Sequence, residues 1–388
     1  MLVILVTTLL TGCATFKNFS SAFLDNGDET EAIVRIGVFE PLSGKDREHG
    51  KLELQGIELA HELFPEVLGK KVELIYADNQ SDVDVAVFAA QDLVDKKVSV
   101  VLGSYGSTLS LVGGELFTKA GIPAIAVTSA NPLVTSSSEW YFRACFVESF
   151  QGVALAKYAV EQLGTSKAAI FRDADDDYAA AVSQTFSDKM VQLTADENAI
   201  ATVIEYSHKQ KDFSRQIQAV QDAGAKVVLL ASKTEDAIRI MKQAKDMGAG
   251  MTLLGTGSWE KESFLQDGGE AVEGAVFSTY FDPEAAITEN TEVFLKAYRE
   301  KYGEEMNPPS EAALGFDAYL LAINAIEAAG TSVDGQVIRD KLAKTKSFPG
   351  ASGNITFDEN GDPIKSVSIK TITNGEFVHI HTVEPTWQ

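Results

Sequence analysis

From residue 32 onward, short β-branched runs alternate with helical stretches, and the alternation runs through twice. Residues 33–39 form an apolar run that stops at Pro41, and 50–63 place Leu52, Ile57, Leu59, Ala60 and Leu63 at mostly helical spacings. A strand over 72–76 follows, then a helix over 81–95 with Ser81 as its expected N-cap. Next come a strand over 98–102, a helix over 107–120 stopping at Gly121, and a strand over 122–127. After Arg143 the series restarts. Helices are expected at 151–163, 178–193, 213–223 and 235–247, and strands at 168–171, 203–206, 227–230 and 252–254. Strands separated by helices pair in parallel with helices on both faces, so each series is an α/β doubly wound parallel-sheet lobe. At 388 residues the chain exceeds what one core sustains, about 250–300 residues, which also argues for two lobes.

Sheets of this kind bind ligands outside the carboxyl ends of their strands, where the strand order reverses. Candidate binding residues therefore belong to the loops after the strands. The remaining chain reads as helices at 291–302, 312–329 and 333–344, followed by a turn at Asn360-Gly361 and strands at 367–372 and 377–382 that form a terminal hairpin.

The amino terminus has a separate character. Residues 1–10 are almost wholly apolar but too few for a membrane-spanning helix, which needs about 20. They fit a signal peptide over 1–12. Leu10-Thr11-Gly12-Cys13 resembles a bacterial lipobox, in which Cys13 receives lipid and becomes the mature N-terminus. Residues 13–30 then serve as a lipidated cysteine and flexible linker. The expected setting is outside the cytoplasm of a bacterium, in the periplasm or at the cell surface, with membrane contact through the lipid alone.

Charge and chemistry narrow the function. With 56 acidic against 33 basic residues, the formal charge of −23 repels phosphate backbones, so nucleic acid is an unsuitable partner. There is no GxSxG, no GxxxxGK[ST], and no GxGxxG after the first strand, which removes the commonest sequence grounds for an enzyme on this fold. The histidines at 49, 61, 208, 379 and 381 are scattered, and neither CxxC nor HxxxH occurs, so no metal site and no cofactor are expected. The acidic run Asp173 to Asp177 lacks EF-hand spacing and reads as a solvated loop. Cys145, after Trp140, Tyr141 and Phe142, reads as a buried small hydrophobe.

Several segments in this order resemble the branched-chain amino acid binding family, the type I periplasmic binding proteins. They are Ile36 to Gly44 (IGVFEPLSG), Gly103-Ser104-Tyr105-Gly106-Ser107, Asn131-Pro132, Phe142-Arg143, Gly315-Phe316-Asp317-Ala318-Tyr319 and Gly353 to Asp358 (GNITFD). The resemblance spans residues 32–383. It implies an N-lobe of 31–146 plus 280–350 and a C-lobe of 147–279 plus 351–388. Three hinge crossovers are implied, near 144–149, 278–282 and 349–352. A monomer that closes on an amino acid or related small carboxylate, and delivers it to an ABC permease, is the implied activity.

Family roles carry over where positions match. Ser107, with Tyr105 and Gly106, resembles the loop that holds a ligand carboxylate at a helix N-terminus; a plain capping serine is the alternative. Thr128, Ser129 and Ala130 match the next pocket loop, Ala130 standing where Thr is frequent. Tyr178 resembles the aromatic that covers the ligand from the opposite lobe, or else packs on its own helix. His49 falls at a rim position where aromatics are common, and Trp259 lies beside the second-lobe loop. Gly257 stands where amino-acid binders carry an amine-pairing carboxylate, and Lys233 where a neutral aromatic is usual. Either the ligand is not a plain α-amino acid, or a side chain such as Glu260 reaches the amine while Lys233 lies in solvent. A ligand-sensing or cell-envelope interaction protein on the same fold is the rival to transport.

Overall fold

In the computed structural model, described for residues 33–285 and 288–385, the backbone forms two α/β lobes. The first begins with β1 (Ile33–Glu40), α1 (Arg47–Leu63), β2 (Glu66–Val67), β3 (Lys70–Asp78) and α2 (Val83–Asp95). It continues through β4 (Val100–Gly103), α3 (Ser107–Ala120), β5 (Ala124–Ala126), α4 (Leu133–Ser136) and β6 (Tyr141–Arg143). Its strands lie in the order β2-β3-β1-β4-β5-β6, with β1 parallel to both β3 and β4.

The second lobe runs α5 (Glu148–Glu161), β7 (Ala168–Asp173), α6 (Asp177–Thr194), β8 (Ile200–Tyr206), α7 (Ser214–Asp222), β9 (Val227–Ala231), α8 (Thr234–Asp246) and β10 (Thr252–Gly255). A 3-10 turn (Gly257–Trp259), α9 (Glu262–Gly268) and β11 (Val276–Thr279) complete its parallel part. The chain then returns to the first lobe with α10 (Glu289–Tyr302), α11 (Ser310–Ala329), α12 (Gly335–Leu342) and a small sheet of β12 (Phe348–Gly350), β13 (Gly353–Phe357) and β14 (Pro363–Ile364). The hairpin β15 (Val367–Thr373) and β16 (Glu376–Val383) adds antiparallel strands to the second sheet, whose order is β16-β15-β11-β10-β9-β7-β8.

Apolar patterning explains this layering. α8 buries Ala237, Ile238, Ile240, Met241 and Ala244 at helical spacing and exposes its charged face. α11 is apolar nearly all round because it is the central helix of the first core, enclosed on most sides. It crosses α1 at two glycines: a Cβ on Gly56 would overlap the Ala312 carbonyl, and one on Gly315 the Glu53 carbonyl. Only glycine permits that backbone approach.

Where the chain passes between lobes can be read from the cores. Cys145 packs in the first core and Phe146 in the second; Tyr280 touches both. The third passage departs from the expected 349–352. Ile355 and Phe357 belong to the first core, and Gly361 accepts a hydrogen bond from the Arg143 N–H at 3.3 Å. The chain leaves only between β14 and β15, at Lys365-Ser366. The reason is Asp317, buried midway along α11, which accepts from the backbone of Ala351 and Ser352 and from the Ser352 hydroxyl, so the 350–352 segment stays with the first lobe. Lys365 reaches the Ser352 hydroxyl and the Ala144 carbonyl, linking the first and third passages.

Ser81 is not the cap of α2. Asp82 is, accepting from the N–H groups of Asp84 and Val85, while the Ser81 hydroxyl accepts from Asp46 N. Residues 1–32, including the expected signal peptide, Cys13 and linker, lie outside the described residues. Cys145 is buried, which pushes its thiol up to about 12.

Candidate functional site

Strand order places the binding crevices. In the first sheet the winding reverses between β1 and β4, so the loops after Glu40 and Gly103 open the crevice there. In the second sheet it reverses between β7 and β9, which exposes the loops after Asp173 and Ala231. Tyr105, Gly106 and Ser107 leave the first reversal. Tyr178 and Lys233 leave the second.

The first-lobe platform is built on two carboxyls. Glu40 ends an otherwise apolar strand, is fully buried, and accepts from Tyr105 N at 2.8 Å. Glu53, fully buried on α1, accepts from the Thr128 hydroxyl. Glu40 Oε1 and Glu53 Oε2 have no hydrogen-bond partner among the described residues, and the two carboxyls lie close enough to couple electrostatically. Two adjacent buried carboxyls disfavour ionising together, so protonation of at least one of them is favoured. Burial, then the neighbouring charge, raises Glu40 well above the usual range, and burial brings Glu53 up to about 7.

Around this pair the loops are cross-linked. Gly106, at φ +90°, caps α3, so Ser107 is the first helical residue rather than the cap. Its hydroxyl accepts from Asn131 N at 3.3 Å and ties the Ser107 turn to the 128–131 loop. The Ser129 hydroxyl is buried and donates to the Ser104 carbonyl at 2.7 Å; it also meets the Ser110 hydroxyl at 2.9 Å. That geometry makes Ser129 a brace, not a free ligand donor, which corrects the sequence expectation. Thr128 remains half-buried at the edge, and Ala130 packs against the first core. The His49 ring stacks on Tyr105 with centroids 4.4 Å apart and planes 2° from parallel, and its Nδ1 lies 3.7 Å from Glu311.

Arg143 was noted in the sequence without a role. Fully buried, it donates to the Ser129 carbonyl at 2.9 Å and the Thr135 hydroxyl at 2.6 Å, and its Nε lies 2.5 Å from Asp362. It thereby fastens the 128–135 loop to the third passage. A charged residue ending the short apolar run before it was the available signal.

The second lobe contributes a different set. The Tyr178 hydroxyl accepts from Gln151 Nε2 at 2.9 Å, and Gln151 Oε1 accepts from Gly257 N at 3.3 Å and the Ser278 hydroxyl at 3.0 Å. Lys233 is exposed at the start of α8. Trp259 is fully buried, stacked on Phe264 at 5.2 Å and covering Gly255, so it belongs to the core and is withdrawn as a ligand contact. Glu260 is bonded to Lys370, the Thr279 hydroxyl and, at 3.4 Å, the Ser310 hydroxyl of α11. Lys370 also pairs with Asp282 at 2.8 Å. Glu260 therefore serves the second passage between lobes and is not a free substitute for a carboxylate at 257.

Asp173, expected to be part of a solvated acidic loop, is instead 1% exposed and lies with His208 and Asp236, their ligating atoms all within 4.8 Å of one another. These three come from distant parts of the sequence, so spacing motifs could not reveal them.

Chemically, the first platform offers a helix N-terminus with unpaired N–H groups beside a serine hydroxyl, a setting that favours an anion. A periplasmic binding protein family model matches residues 33–376. A Leu/Ile/Val-binding protein homolog of Brucella abortus is 25% identical over 346 residues, covering 88% of this chain and 91% of that one. The crystal structure of a leucine binding protein, LivK, from Thermotoga maritima superposes with a TM-score of 0.76 at 33% identity, covering 91% and 99%. LivJ from Streptococcus pneumoniae, solved in complex with isoleucine, gives 0.74 at 27% identity, covering 91% and 100%.

Proposed function

The chain belongs to the periplasmic binding protein family, and on that premise we propose that it captures an amino acid or related small carboxylate between its lobes and hands it to an ABC permease. It is an extracytoplasmic solute-binding protein, not an enzyme, as its family and structural relatives are. The observation that carries the ligand class is the α3 N-terminus at the first strand-order reversal, with Ser107 held there by Asn131 and Tyr105 stacked beside it. In the proposed closed state Tyr178, Gly257 and Lys233 meet the ligand from the second lobe, with His49 and Thr128 at the rim. Support for closure comes from three narrow passages between two separate cores. Lipid attachment at Cys13 is part of the same proposal and would hold the protein beside its permease.

Thermal-shift and calorimetric screening against amino acids, amines and small carboxylates tests the reading. A solute at a hundredfold excess over Kd raises stability by about 2.7 kcal/mol when it binds only the folded state. A bound amine without a carboxylate, or no ligand at all, would sink it. Radiolabelled palmitate incorporation, lost in Cys13→Ala, tests the anchor.

A further inference from the structure

We propose that Asp173, His208 and Asp236 form a binding site for a divalent metal ion of the zinc class on the second lobe. The three residues close over the carboxyl ends of β7, β8 and β9. Asp173 ends β7, His208 follows Tyr206 at the end of β8, and Asp236 lies in the first turn of α8 after β9. Asp236 is fully buried; its Oδ1 accepts from Arg239 at 2.5 Å and its Oδ2 lies 2.7 Å from His208 Nδ1.

An ordinary ion-pair network accounts for Asp236, His208 and Arg239. It leaves one oxygen of Asp173 unexplained. Asp173 Oδ1 accepts from Asp175 N at 3.1 Å, but Oδ2 is buried with no partner among the described residues. The hydroxyls of Tyr206, 3% exposed, and Ser232, 9% exposed, are buried beside one another with no other partner among the described residues. Leaving such groups unsatisfied is costly, and a cation answers the carboxylates directly.

The donor set chooses the cation. Two carboxylate oxygens and one imidazole nitrogen suit a borderline ion, with a water or hydroxyl completing four-coordination. Arg239 neutralises the outer oxygen of Asp236, so one net negative charge faces the ion. His208 is 45% exposed at its side chain, which gives an entry path and leaves Nε2 to solvent. Occupancy would tie the loop that leads to Tyr178 to both neighbouring strands.

The test is calorimetry of ZnCl₂ into the full chain, prepared without a histidine tag and stripped with chelator. One equivalent is expected at micromolar affinity or tighter. Asp173→Asn and His208→Gln should each weaken it at least tenfold, and the Co²⁺ form should show a visible absorption band that His208→Gln changes. A double variant of His379 and His381, which share β16, should bind as the parent does. His208→Gln alters a half-exposed side chain, so its effect is not one of misfolding. No uptake at 100-fold excess, uptake unchanged by both substitutions, uptake lost with His379 and His381, or displacement of Zn²⁺ by equimolar Ca²⁺ would each overturn the assignment.

Discussion

The two strand-order reversals sit in equivalent places on similar sheets, yet they are finished differently. In the first lobe the buried atoms without a hydrogen bond among the described residues are one oxygen each of Glu40 and Glu53, His49 Nδ1, which lies 3.7 Å from Glu311, and Arg143 Nε, which is ion-paired with Asp362. Thr128, Tyr105, Ser104, Ser110, Ser129 and Arg143 then lock the surrounding loops together. In the second lobe they are Asp173 Oδ2 and the hydroxyls of Tyr206 and Ser232, gathered at the ends of β7, β8 and β9. The first lobe is a rigid, cross-linked platform; the second carries the proposed cation site at its strand ends. That division suits a protein in which one face receives a solute and the other adjusts on closure.

The sharpest way to break the comparison is to remove the arginine from each side. Arg143→Met takes the ion pair from the largely buried Asp362, which keeps only the Thr135 hydroxyl, and frees the buried Ser129 carbonyl, so about 3–5 kcal/mol of stability should be lost in urea unfolding. Arg239→Met acts on a side chain that is 33% exposed and leaves Asp236 with His208, and should cost about 1 kcal/mol or less. Equal losses would mean the first platform is no more tightly built than the second.

Next in size is pH. Folded Glu53 releases its proton near 7, against about 4.3 for an unfolded glutamate. Between those values the folded state holds more protons, so this contribution is fully present below about pH 4, declines as pH rises, and is gone above pH 7. Its slope reaches at most about 1.4 kcal/mol per pH unit. Urea unfolding at pH 5, 6, 7 and 8 should show the decline in the parent and a flatter profile in Glu53→Gln. A profile unchanged by that substitution would remove the raised Glu53 carboxyl from the account.

Solute binding compares the lobes directly. Ser107→Ala removes a hydroxyl from the first and Tyr178→Phe one from the second, and each should weaken the screened ligand by roughly fivefold in calorimetry, as for a single hydrogen bond of about 1 kcal/mol. An effect confined to one lobe would mean that the ligand is held without closure.

How much of this was legible differs by scale. Alternation of apolar runs fixes local structure through neighbours in sequence, so the two sheets and most helices could be read directly. Pairings such as Glu40 with Glu53, Arg143 with Asp362, and Asp173 with His208 depend on which strand ends the winding brings together, and no periodicity encodes that. A usable signal did exist. Glu40, Arg143 and Asp173 each end a short apolar strand, and Asp317 interrupts an apolar helix; a charge there must find a partner once the strand is buried. Trp259 misled for the opposite reason, because an aromatic beside a loop glycine looks the same in sequence whether it faces a ligand or fills the space over Gly255.

Lys233 gives the smallest effect and the finest distinction. It is exposed at the start of α8, beside the buried Ser232 hydroxyl. Acting from solvent, it can only attract a carboxylate across water, an influence of under about 1 kcal/mol that salt suppresses. Lys233→Ala should therefore weaken binding by less than about fivefold at low salt, with the difference gone at 0.5 M NaCl. A loss above tenfold that survives high salt would place its ammonium in direct contact with the ligand after closure. The second lobe would then supply a fixed charge to the solute, and the rigid-platform description would have to extend to both sides.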